Sequence, residues 1–112
     1  MSDVRIAQSL LHETWPTRAG RPAKVCMSEI FRSLQRVERH LSVGELRQRQ
    51  RRWTGRRVRA IWDGEARRID NYEMNDLETA ALEAARAEHQ KSIERSRRLE
   101  IFISSVLEAQ GR

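Results

Sequence analysis

The chain has few of the residues that staple, break or bend a backbone: one cysteine, two prolines and five glycines among 112 residues. The lone thiol, Cys26, has no partner for an internal disulfide. With His12, His40 and His89 in separate segments, it assembles no four-ligand zinc site, so neither metal nor cofactor is expected. Scarce Gly and Pro leave little for a turn-rich all-β fold, whereas abundant Arg, Glu, Ala, Leu and Gln favour helix; the expected class is all-α. Long apolar runs are missing too. Ile101 to Ile103 with Val106 and Leu107 falls far short of the roughly 20 residues that cross a bilayer, so no membrane partner is expected. Met1, Ser2 and Asp3 do not begin a secretory leader, which points to the cytoplasm. No glycine-rich phosphate loop and no ordered nucleophile and base are present, so the chain does not read as an enzyme. Acids such as Asp76 and Glu78 read as a solvated helix surface, and Cys26 as a small buried hydrophobe.

What the chain does have is positive charge in one place. The net charge is +6, carried by 20 Arg and two Lys against 16 acids. Residues 1–59 hold 14 basic and five acidic residues, net +9, and residues 60–112 hold eight and 11, net −3. Arg47, Arg49, Arg51, Arg52, Arg56, Arg57 and Arg59 crowd thirteen residues that contain no acid. Guanidinium groups bind phosphate and the guanine edge in bidentate fashion, so a nucleic-acid polyanion matches this segment best. A solvated face, an anionic membrane surface and an acidic protein are the competing readings.

Apolar spacing predicts a first helix from Asp3 to His12, ending before Trp15 and Pro16. The loop from Thr14 to Ala23 holds both prolines. Within it, Arg18 to Lys24 resembles the core of an AT-hook, a short extended minor-groove segment. Ala19 stands where that pattern has arginine, and the stretch reads as a basic linker. A second helix is predicted over Val25 to Leu41, capped by Ser28, with Phe31 and Leu34 in the core. Ser42 and Glu45 form a capping box for a third helix from Val43 to about Arg51. Thr54 suits a new N-cap, Trp53 and Val58 a hydrophobic staple, and Val58, Ile61 and Trp62 an inward stripe, with Gly64 as the stop. A β-wing over residues 57–69 competes with that helix, because Asp63 and Gly64 favour a hairpin turn and Val58, Ala60 and Trp62 alternate. Asp70 and Glu73 form another box, after which nothing interrupts a helix until Gly111. Such a helix would approach about 55 Å, more than a small core covers. Either it breaks near Glu88 to Ser96 into a hairpin, or its apolar end packs on another chain. The second is the expectation: a homodimer through Leu99, Phe102, Ile103 and Val106, with residues 1–71 as the basic domain and residues 72–112 as the dimerisation segment.

The stretch from Trp53 to Glu73 resembles the second half of a helix-turn-helix motif. Thr54 matches the cap, Trp53 the apolar anchor before it, and Val58 and Ile61 the two inward positions of the recognition helix. The resemblance implies that Arg56, Arg57 and Arg59 face the major groove beside Thr54, and that Ala60 meets a thymine methyl. Arg52, Arg67 and Arg68 would hold phosphates, and Gln48 and Gln50 would reach bases or phosphates. Arg47, Gln48, Arg51 and Arg52 stand where the motif's first helix has small or apolar residues, so Val43 to Arg51 is either the supporting helix or itself a reader. Trp53 and Trp62 read as core. The implied function is a dimeric, nucleoid-associated transcriptional regulator of bacterial or phage type that binds double-stranded DNA. An RNA-binding protein, or a helical adaptor whose Arg-rich face takes an acidic partner, is the alternative.

Overall fold

The structure, a computed structural model, describes residues 3–111. It is mostly helical: α1 (Asp3–Thr14), α2 (Ala23–Arg39), α3 (Val43–Arg47), α4 (Gly55–Trp62) and α5 (Asn71–Gln110), with no strand among the described residues. Two units are distinguished, Met1–Leu82 and Glu83–Arg112. The division falls inside α5 and not at its start. Glu73, Asp76, Leu77, Ala80 and Ala81 are the buried residues of α5, so its first turns belong to the core of the first unit.

That core is built where α4 packs on both α1 and α2. Ala7 and Leu11 come from α1, Cys26, Ile30 and Leu34 from α2, and Val58, Ile61 and Trp62 from α4; Trp15, Trp53, Ala66 and Ile69 close it from the connections. In α1 and α2 these residues are four apart, and in α4 Ile61 and Trp62 lie three and four beyond Val58, the repeat of one helix face. In α2 the buried face is turned by about one residue from its apolar pattern. Ser33 and Glu38 are buried there, whereas Phe31 is only half-buried.

Local chemistry explains most boundaries. α1 runs to Thr14, two residues beyond the expected end, and Trp15 still donates its N–H to Leu11 O at 2.9 Å before Pro16 stops the helix. Arg18 and Arg21 exchange both backbone hydrogen bonds, 3.1 and 2.8 Å, around Gly20 at φ +83°. This closed turn is not the extended form that an AT-hook takes. α2 starts at Ala23, with Pro22 and not Ser28 as its N-cap: proline has no N–H to leave unpaired and a fixed φ, here −69°. Ser42 and Glu45 make both bonds of a capping box, yet α3 ends at Arg47, well short of Arg51, and none of its residues is buried.

α4 forms as a helix, and the β-wing does not. Thr54 accepts from the N–H of Arg57 at its start. At its end Gly64 sits at φ +73° and donates to Ile61 O, while Glu65 donates to Ala60 O at 2.8 Å, the paired bonds of a Schellman stop. The last carbonyl, Trp62 O, accepts from Gln8 Nε2 at 3.1 Å and lies 2.9 Å from His12 Nε2, whose ring stacks on Trp62. A carbonyl only accepts, so this geometry places the imidazole proton on Nε2. Gly64→Ala puts a side chain into the left-handed region, and its Cβ would lie 2.9 Å from Gln8 Oε1, displacing a group that caps α4. The expected loss is about 1–2 kcal/mol, from backbone strain plus one weakened hydrogen bond, read as a lower urea midpoint at unchanged slope.

Beyond Leu82 the described chain is the continuing helix alone, which ends at Gln110. No break occurs at Glu88 to Ser96, so the helical hairpin is not formed. Ile93, Leu99, Ile101, Phe102, Ile103, Val106 and Leu107 are all exposed along it.

Candidate nucleic-acid interface

Residues 47–59 contain no acid of their own, but the fold brings three buried carboxylates to their arginines. Asp76, on α5, takes a bidentate pair from Arg49, with Nη2 3.0 Å from Oδ1 and Nη1 on Oδ2. Its Oδ2 also accepts the indole N–H of Trp53 at 2.8 Å. Glu38, on α2, accepts the backbone N–H of Trp53 at 2.9 Å and Nε of Arg52 at 3.2 Å. Glu73 accepts Nε and Nη2 of Arg57 at 2.7 and 2.8 Å, and the backbone N–H of Asp70 at 3.0 Å. Asp76 is therefore not a surface acid. The three carboxylates tie residues 49–57 to α2 and α5.

These pairs shape the titration of the segment. The hydrogen bond to Asp76 outweighs desolvation and holds the Arg49 guanidinium above its ordinary range; Glu73 does the same for Arg57. Arg49 also lies over the ring of Tyr72, 4.7 Å from its centroid. Burial pushes the Tyr72 phenol up, and its hydroxyl donates to Arg51 O at 3.2 Å.

The expected contact residues thus fall into two groups. Arg57 is drawn inward: its side chain is 12% exposed, and Nη2 also donates to Arg68 O at 2.7 Å. Its Nε and Nη2 are both spent within the fold, which sets it apart from the outward arginines of α4. Arg49, absent from the expected contacts, is likewise buried. Thr54 spends its hydroxyl oxygen on the α4 cap. Ala60 is half-buried.

Arg56 and Arg59, in contrast, are exposed three residues apart on α4, opposite the buried stripe of Val58, Ile61 and Trp62. Arg59 is 74% exposed on its side chain and only loosely paired with Asp63 at 3.7 Å. Arg47, Arg56 and Arg67 are exposed and make no ion pair among the described residues. Arg52 keeps most of its side chain in solvent despite Glu38. Arg51 and Arg68 share Asp70 at 4.0 and 3.4 Å, and Arg68 also reaches Gln50. Gln48 is exposed.

The geometry departs from the helix-turn-helix resemblance in one respect. Seven residues, 48–54, separate α3 from α4, where the motif has about three or four. The supporting contacts of α4 come from α1 and α2. No family of known proteins, no characterised protein and no solved structure matches the chain.

Proposed function

We propose that the chain binds double-stranded DNA, with the outward face of α4 in the major groove, and that it acts as a dimeric transcriptional regulator on the bacterial or phage nucleoid. One observation carries this reading. After the fold has neutralised Arg49 and Arg57 inside it, Arg56 and Arg59 remain exposed on a helix whose other face is locked in the core. Rigid mounting matters, because guanidinium groups read base edges only when their backbone is held in register. Arg47, Arg51, Arg52, Arg67 and Arg68 lie in the segments flanking α4 in sequence, where they can hold phosphates. The homodimer, through Leu99, Phe102, Ile103 and Val106, would pair two such helices on two half-sites.

The test is a fluorescence-anisotropy titration of a labelled random duplex at several salt concentrations. Wild type is expected to bind near about 50 mM salt with a steep salt dependence. If Arg56 and Arg59 touch phosphates, Arg56→Ala/Arg59→Ala lowers the magnitude of the log–log slope by about two. If they read bases, the loss is confined to a selected sequence. Absence of duplex binding at low salt sinks the proposal, and preference for single-stranded RNA over duplex transfers the site to RNA.

A further inference from the structure

We propose that the Glu83–Arg112 segment pairs with a second copy of itself in parallel, in register, as a two-stranded coiled coil. This rests on the dimer reading above and adds its orientation. From Ala85 to Gln110 every residue is exposed in the single chain. Most helical stability in proteins comes from packing of an apolar face, and a helix displaying Leu99, Phe102, Ile103, Val106 and Leu107 needs a cover.

Spacing selects the face. Ala85, His89, Ser92, Ser96, Leu99, Ile103, Val106 and Gln110 alternate steps of four and three, the seam of a left-handed coiled coil. Small side chains at Ser92 and Ser96 allow close approach there, and Leu99, Ile103 and Val106 supply the apolar layers. Ile101 falls on the opposite face and stays in solvent in such a pair.

The flanks select the partner and its direction. In a parallel pair, the residue preceding one seam layer meets the residue five further along on the other chain. Arg95 then faces the partner's Glu100, and Phe102 faces the partner's Leu107; the twofold axis repeats both contacts. Arg95 and Glu100 make no ion pair within the chain among the described residues, so both charges are available. An antiparallel pair over the same apolar layers sets Glu100 beside the partner's Glu100 or Leu107, and Arg95 beside the partner's Phe102 or Ala109. An antiparallel pair can still set Phe102 on the partner's Phe102, but the parallel pair alone brings opposite charges together, with Glu88 beside the partner's Ile93 as its one mismatched flank. Both chains then enter the pair at the same end, as two half-site readers require.

Full-length Ser92→Cys, in a glutathione redox buffer, is expected to form a disulfide-linked dimer, while wild type, with only the buried Cys26, is not. Arg95→Glu is expected to raise the dimer Kd about tenfold, since two attractive contacts become repulsive, and Arg95→Glu/Glu100→Arg should restore it. Circular dichroism of each variant checks that the helices persist. A sedimenting dimer in which Ser92→Cys does not link, or in which the charge exchange fails to restore affinity, overturns the parallel register and leaves the dimer standing. Monomeric wild type overturns the dimer itself.

Discussion

Asp76→Ala is expected to destabilise the first unit by about 3–5 kcal/mol, a large share of the 5–15 kcal/mol typical of a domain. The side chains of Arg49 and Asp76 are 9% and 5% exposed, so removing the carboxylate leaves a guanidinium largely out of water without its counter-charge. The same substitution strips the acceptor from the indole N–H of Trp53, a second buried donor. Asp76→Asn retains an acceptor for Trp53 but not the charge, and should lie between the two. Urea unfolding followed by tryptophan fluorescence reads both variants. A loss below about 1 kcal/mol for Asp76→Ala, the range of exposed ion pairs, would show that solvent reaches this site and that residues 48–54 are held by other contacts.

What the sequence reveals of this fold is what short-range chemistry controls. Thr54 as cap, Val58, Ile61 and Trp62 as the buried stripe, and Gly64 as the stop act within one helix; each is readable from residues a few positions apart. The unbroken α5 is legible for the same reason, since no Gly or Pro interrupts it before Gly111. The destination of the arginines is not legible. Arg49 finds Asp76 27 residues away, Arg52 finds Glu38 14 away and Arg57 finds Glu73 16 away, spacings with no local period. The short α3 and the irregular strap after it have the same origin: Arg49, Arg52 and Trp53 are held by acids on α2 and α5, and a continued helix through Arg51 would have to satisfy those bonds in its own geometry. A faint signal existed in the step of three between Glu73 and Asp76, which places both acids on the stripe of Leu77, Ala80 and Ala81. For the candidate interface, the acid-free run of residues 47–59 identified the basic segment but not which of its members face outward.

Glu73→Leu alone is expected to cost about 3–5 kcal/mol, whereas Arg57→Met/Glu73→Leu should recover most of it, because a buried ion pair offsets its own desolvation only when both partners are present. Glu73 is 1% exposed on its side chain and Arg57 12%, and the bidentate geometry satisfies both ends of the pair. Leucine and methionine approximate the volumes removed and keep the gap between α4 and α5 filled. Two hydrogen bonds remain to be lost in the double variant, from Asp70 N–H to Glu73 and from Arg57 to Arg68 O. Each lies near solvent and should cost about 1 kcal/mol, so recovery stops short of the wild-type midpoint. A double-mutant cycle in urea gives the coupling directly. The same protein also decides the role of Arg57. If the proposed DNA reading holds, the guanidinium committed to Glu73 leaves Arg57 out of the interface, so Arg57→Met/Glu73→Leu should bind a duplex with the wild-type salt slope while Arg56→Ala/Arg59→Ala should not. A slope reduced by about one in the double variant would return Arg57 to the list of phosphate contacts, with Glu73 as the residue that restrains it until DNA arrives.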